Sequence, residues 1–325
     1  LSSYSFALLF VVRRSSFVLR RSSFVVCPSS FVIRRFIKQE GATMRYGCVI
    51  TPDQVGAAIA AGFDFLELPA RDLQPEGDHE LAMSAISRSL LESGYPVKVE
   101  VFWGLLPPDL PAVGPNVDHA RLRRYLHRAF TDIWALGGML VVLASGVTRR
   151  IPPGFPRAEA EAQFAALLTY LETEGERNGL DIALEPLNHT VTNLLNTIGE
   201  SAQFLADRRV EHVRLLVDSY HMSIEGEPVT TLLEYGPLIA HVHVADLNRL
   251  PPGQGDTNFL PFFTALRQIG YNGRIALRCD WADFAQEAPQ ALAFIKRQWD
   301  LSEAAKSNGA GSREVGGITS HRDQR

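Results

Sequence analysis

Between Met44 and Leu301, short runs rich in β-branched and aromatic residues alternate with longer segments of helical periodicity, and the alternation repeats eight times. The short runs are R-Y-G-C-V-I (45–50), F-D-F-L-E-L (63–68), V-K-V-E-V-F (97–102), M-L-V-V-L-A (139–144), D-I-A-L-E (181–185), V-R-L-L-V-D (213–218), A-H-V-H-V-A-D (240–246) and R-I-A-L-R (274–278). The first helix has a capped start, with Thr51 before Pro52 and Gln54 completing a capping box. Further helices are expected near 79–94, 119–136 (with Leu122, Leu126 and Phe130 on one face), 157–178, 229–236, 257–269 and 284–299, and one more is opened by T-I-G-E at Thr197–Glu200. Eight strand–helix units in about 250 residues predict an α/β fold, a parallel (β/α)8 TIM barrel. A doubly wound open sheet is the alternative. The barrel is preferred because no glycine-rich dinucleotide fingerprint follows any run, and because polar residues gather at the C-terminal ends of the runs, where a barrel builds its active site.

The barrel domain is assigned to residues 44–301. Before it, a seven-residue pattern recurs across residues 8–35 as L-L-F-V-V-R-R, S-S-F-V-L-R-R, S-S-F-V-V-C-P and S-S-F-V-I-R-R. Three apolar residues followed by Arg-Arg make no helical stripe. Residues 1–43 are therefore expected to be a low-complexity extension outside the fold, read as upstream sequence translated through a gene-model error, with an organelle transit peptide as the alternative. The Gly/Ser/Ala-rich tail 302–325 is expected to be disordered.

Charge and cysteine usage narrow the function classes. Of the overall −4, residues 1–43 carry +6 and the tail after Leu301 carries +1, leaving −11 on residues 44–301. An acidic body argues against a nucleic-acid partner. Cys27, Cys48 and Cys279 are too few and scattered for a disulfide framework or a cysteine metal cluster, so a reducing, cytoplasmic setting is expected. No apolar run reaches the roughly 18 residues of a membrane-spanning helix, so no membrane partner is expected.

Three residue types at the ends of adjacent runs carry the chemistry. Glu185 ends the fifth run, followed by Pro186; Asp218 ends the sixth; and the seventh reads H-V-H-V-A-D. Period two aims His241 and His243 to the same side, with His243 nearer the mouth. Glu185, Asp218 and His243 on three successive strands can converge on one point and are suitable ligands for a divalent cation such as Mn²⁺, Mg²⁺, Co²⁺ or Zn²⁺. His241 is read as a structural core histidine, and Glu67 as ambiguous, able to face solvent.

The runs L-E-P-L-N, V-D-S-Y-H-M and H-V-H-V-A-D-L-N-R-L-P-P-G-Q-G, with A-S-G-V-T-R-R-I-P-P-G-F-P-R (144–157), resemble the xylose isomerase-like TIM-barrel superfamily. The resemblance is to its sugar phosphate isomerase/epimerase branch, which includes D-tagatose 3-epimerase and hydroxypyruvate isomerase. It implies a small sugar or sugar phosphate as substrate and proton transfer at a carbon next to a carbonyl, with a divalent metal held by Glu, Asp, His and a final Glu. The first three ligands fall on Glu185, Asp218 and His243. By the same resemblance Glu185 is a catalytic acid–base residue, and His221 and Arg249 bind substrate.

The pattern breaks at two places. The final Glu falls on Arg278, and a substrate-contacting carboxylate six residues beyond Glu185 falls on Val191. Arginine has five donors, no acceptor and a permanent charge, so it neither ligates a cation nor serves as a second base. Two accounts stay open. In the favoured one, the Arg278 guanidinium pairs with Glu185 and Asp218 in place of the metal, which is then absent. In the other it binds an anionic substrate and the metal stays on Glu185, Asp218 and His243. A displaced ligand at Asp280 and an Arg278 that merely reaches the rim are further readings, and Arg149 and Arg150 are weaker anion-binding candidates. The functional expectation is a sugar phosphate isomerase/epimerase-like enzyme, or a related lyase needing one base. The alternative is a catalytically degenerate barrel that binds a sugar-like ligand without turnover. The oligomeric state stays open.

Overall fold

The computed structural model of the chain describes residues 43–92 and 98–310. Eight parallel strands close into a barrel in chain order: β1 Arg45–Val49, β2 Phe65–Pro69, β3 Val99–Trp103, β4 Leu140–Leu143, β5 Asp181–Leu184, β6 Val213–Asp218, β7 Ile239–Val244 and β8 Arg274–Leu277. The expected (β/α)8 barrel is the observed fold. Its helices are α1 Val55–Ala61, α2 His79–Glu92, α3 His119–Ala135, α4 Arg157–Asn178, α5 Ile198–Asp207, α6 Ser219–Glu225, α7 Thr231–Tyr235, α8 Leu260–Gln268 and α9 Phe284–Ala310. Among the described residues no helix is long and apolar enough to cross a membrane.

Local chemistry sets the element ends. Gln54 Oε1 accepts the Thr51 N–H at 3.0 Å, as the capping box predicts. At α5, Thr197 Oγ1 accepts from Glu200 N at 3.1 Å, but Glu200 Oε2 returns to Asn196 N at 2.7 Å, one residue earlier than a reciprocal box. Two expectations need correction. The last helix runs on to Ala310, so the disordered tail placed from residue 302 begins too early; the rest of that tail, like the repeat-bearing residues 1–42, lies outside the described residues. The segment after Asp218, where no helix is expected before the one near 229–236, is the short helix α6. Its seven residues are too few to show a period, and Asp218 itself caps it, Oδ1 accepting from Tyr220 N at 2.8 Å.

One apolar core fills the shell between strands and helices, including Phe102, Phe130, Phe164 and Phe263, and a second fills the lumen. Lumen packing explains Gly47, since a Cβ there would stand 2.4 Å from the Phe65 ring. At the floor, Glu100 of β3 accepts from both Arg45 of β1, at 2.6 and 2.8 Å, and Arg274 of β8, at 2.9 Å, tying the strands that flank the closing seam.

Candidate active site

Strand parity builds the site. Phe65, Val101, Ala183, Leu216 and Ala276 belong to the lumen core. Two positions further along each strand, on the same inward face and nearer the C-terminal end, stand Glu67, Trp103, Glu185, Asp218 and Arg278; His243 stands likewise above His241. An apolar lumen layer therefore gives way to a polar layer at the mouth. The β6–β7 register sets Asp218 beside His243, and Glu185 prolongs the β5 ladder through its N–H to Leu143 O at 3.2 Å.

Each imidazole and carboxylate in this layer has a distinct set of partners. Glu67, which sequence left free to face solvent, is 0% exposed and takes both histidines, Oε2 to His241 Nε2 at 3.1 Å and Oε1 to His243 Nε2 at 3.0 Å. Burial alone would raise the Glu67 carboxyl, yet the two imidazoles bring it down to about 2. Burial likewise opposes a charge on His243, but Glu67 and Glu185 outweigh it and raise the ring to about 10. His241, a layer deeper, is pushed down by burial. Asp218 sits well below the usual carboxylate range, because the Arg249 guanidinium, bonded to Oδ2 at 2.7 Å, more than offsets burial. The Glu185 carboxylate is buried and accepts no hydrogen bond among the described residues; His243 Nδ1 lies 3.6 Å and His221 Nε2 3.9 Å from its Oε1.

The loops deliver the remaining groups. His221, in the first turn of α6, has Asn188 N and Nδ2 at Nδ1 (3.2 and 2.8 Å) and Arg249 Nη2 at Nε2 (2.8 Å). Burial holds its pKa down, and donors around both nitrogens favour the neutral ring. Arg249 has a left-handed backbone, φ 59°, next to Asn248 at φ 57°. The turn is fixed by buried Asp246, whose carboxylate accepts N–H groups of Leu247, Gly253, Gly255 and Thr257 at 2.9–3.2 Å.

This turn corrects the favoured account of Arg278. The guanidinium that reaches Asp218 is that of Arg249, whose Nη1 also donates to Arg278 O at 3.2 Å. The Arg278 side chain instead crosses the mouth to stack on Trp103, 4.3 Å from the ring centroid, and burial together with Arg249 lowers its pKa. Arg149 and Arg150 also differ from expectation. Arg149 is fully buried, donates to Glu185 O at 2.8 Å and Leu195 O at 3.3 Å, and is lowered by burial to about 10; Arg150 donates to Thr190 O at 2.8 Å. Both brace the loop after β5. Val191 packs against Gly146, where a Cβ would meet it at 2.4 Å.

Sequence reasoning passed over Trp103, Asn188, Asp246 and, in effect, Glu67. Parity with Phe65 was the available signal for Glu67, and parity with Val101 for Trp103.

The donors suit a divalent cation. One ligand atom each from Glu185, Asp218 and His243 lie within 4.8 Å of one another. His243 Nδ1 is buried without a partner and faces both carboxylates, at 3.6 and 4.0 Å. Its other nitrogen is held by Glu67, the outer contact that orients a ligating imidazole. A second group, Glu67, His241 and His243, also lies within that distance, but both Nε2 atoms are committed to Glu67.

A model of the xylose isomerase-like TIM barrel family matches residues 55–298. The chain belongs to that family. Among its curated relatives, a 3-dehydro-D-guloside 4-epimerase of Escherichia coli (strain K12) is 29% identical over 195 residues, covering 57% of this chain and 74% of that protein. An L-ribulose 3-epimerase of Methylomonas sp. (strain DH-1) is 27% identical over 266 residues, covering 75% of this chain and 90% of that protein. Among solved structures, a D-allulose 3-epimerase from Methylomonas sp. in complex with D-allulose superposes with a TM-score of 0.67 at 25% identity, over 79% of this chain and 98% of that one. These three relatives in the xylose isomerase-like family are sugar epimerases.

Proposed function

We propose that the barrel mouth binds a small sugar or sugar phosphate in its keto form, and that Glu185 moves a proton at the carbon next to the carbonyl. The observation that carries this reading is the state of Glu185: of the three buried carboxylates in the mouth layer it alone has its oxygens uncommitted, while Glu67 holds two imidazoles and Asp218 holds Arg249 and the α6 cap. A base must have a free lone pair within reach of the proton it takes. The relatives, sugar epimerases, support the substrate class.

In this scheme Glu185 takes the proton, and the electron pair left on carbon delocalises into the carbonyl as an enediolate. Arg249 and His221 flank the base and hold hydroxyl oxygens. A divalent cation on Glu185, Asp218 and His243 would polarise the carbonyl oxygen. Return of the proton by Glu185 to the former carbonyl carbon, with the hydroxyl proton of the enediolate passing from one oxygen to the other, gives an isomer. Epimerisation at one carbon needs a donor on the opposite face, the place that the family resemblance gives to a glutamate and that Arg278 holds here. Cys48 and Cys279 are buried and unbridged, which supports a reducing, cytoplasmic setting.

The test is conversion of ketoses followed by NMR. Wild type is expected to convert at least one, and Glu185→Gln to lower kcat by about 10²–10⁴-fold, the usual contribution of a positioned base. Binding of sugars with no conversion by wild type would replace this reading with that of a binding barrel.

A further inference from the structure

Arg278 is a half-buried cation. Its guanidinium lies over Trp103 and donates no hydrogen bond among the described residues, whereas Arg249 already donates to Asp218 and the Arg278 carbonyl and meets His221. Removing a guanidinium from water without an acceptor is costly, and a ring face repays it only in part.

The same indole carries a second guanidinium. Arg71, in the turn Ala70–Leu73 that follows β2, lies 5.3 Å from the Trp103 centroid. The Asp72 carboxylate stands 3.9 Å from Arg71 Nε, beyond hydrogen-bond reach. Gly104, next to the ring, has a left-handed φ of 60°, and a Cβ there would sit 3.4 Å from Arg71 Nη1, in ordinary contact. Trp103 Nε1 is itself buried with no acceptor. Two guanidiniums that donate no side-chain hydrogen bond among the described residues therefore flank one ring, and that ring stands in the layer that presents Glu185.

We propose that Arg71, Arg278 and Trp103 form a receptor for an anionic group on the substrate, a carboxylate or a phosphate, which holds the sugar with its carbonyl end toward Glu185. The inference rests on the reading of the mouth as a sugar site and narrows it to charged sugars. A planar guanidinium pairs with either oxyanion through two parallel N–H donors. The position that resemblance gives to a glutamate would thus have changed from acting on the substrate's carbon to gripping its charged end.

Calorimetric titration of the full chain with D-fructose, D-fructose 6-phosphate and D-fructuronate tests this, with Arg278→Met and Arg71→Met beside wild type and inorganic phosphate as competitor. One of the two anions should bind wild type on the order of tenfold to a hundredfold more tightly than D-fructose, the worth of charged hydrogen bonds, and phosphate should compete. Which anion wins distinguishes the two sources. Each variant should lose most of that preference, and Arg278→Lys should keep part of it. Arg71→Met, on an exposed turn, serves if Arg278→Met fails to fold. Equal affinity for D-fructose and both anions, or a preference that survives in the folded variants, would overturn the proposal. Its failure is separable from that of the base: conversion of a neutral ketose without anion preference refutes the receptor alone, whereas anion-selective binding without conversion refutes Glu185's role alone.

Discussion

At the scale of single residues, a buried carboxylate's role here follows from what its oxygens already hold. Glu67 grips two imidazoles, Asp218 a guanidinium and a helix N–H, Glu100 two guanidiniums, and Glu185 accepts no hydrogen bond among the described residues. Glu100 gives a pH-dependent case away from the mouth. Burial pushes its carboxyl up, but the hydrogen bonds and charges of Arg45 and Arg274 prevail and lower it below 4.5. A depressed folded pKa means stability that is complete above the unfolded value and lost as pH falls through the folded one. Glu100→Gln should therefore cost about 2 kcal/mol near neutrality, and the gap from wild type should shrink as pH drops below 4.5. Denaturant unfolding between neutral and acid pH measures it; a gap that widens with acid would contradict the assignment. That Glu185, Asp218 and His243 come together was legible because each lies within one residue of the C-terminal end of its strand. Which arginine meets Asp218 was not, because that depends on two consecutive left-handed residues, Asn248 and Arg249, in a loop with no periodic signal.

At the scale of elements, strands and loops divide the work. The strands set height and parity, so the sequence placed Glu185, Asp218 and His243 of the mouth layer; α4, a long helix, was read at its observed bounds, while α6, two strands later, was missed. The loop after β7 depends on one anchor. Asp246 gathers four backbone N–H groups from residues 247–257, and Gly255 lies so close that a Cβ would stand 2.6 Å from its Oδ1. Asp246→Asn puts an amide donor where a carboxylate oxygen now faces two N–H groups. It should lower stability by about 2 kcal/mol and speed hydrogen exchange of the amides at Gly253, Gly255 and Thr257, with the barrel strands unchanged. Mass-spectrometric exchange resolves this, and unaltered protection of that loop would show that Asp246 is not its anchor. The sequence string H-V-H-V-A-D marked the aspartate without revealing its use, since a carboxylate that folds back on its own loop leaves no pattern in spacing.

At the scale of the whole molecule, closure of eight strands turns a one-dimensional alternation into a layered cup. Phe65, Val101, Leu140 and Leu216 fill the lumen below, and the layer above it gathers Glu67, Glu185, Asp218 and His243 out of water, where low dielectric strengthens every pairing. The central claim is that this layer presents Glu185 as a base to a carbon beside a carbonyl. The most direct measurement uses a ketose deuterated at that carbon, with the label followed by NMR in ordinary water. Wild type should release the deuterium to solvent as product forms, and Glu185→Gln should retain it. Product carrying the label intact on the neighbouring carbon, the mark of a hydride shift, or release that proceeds equally in Glu185→Gln, would contradict the account.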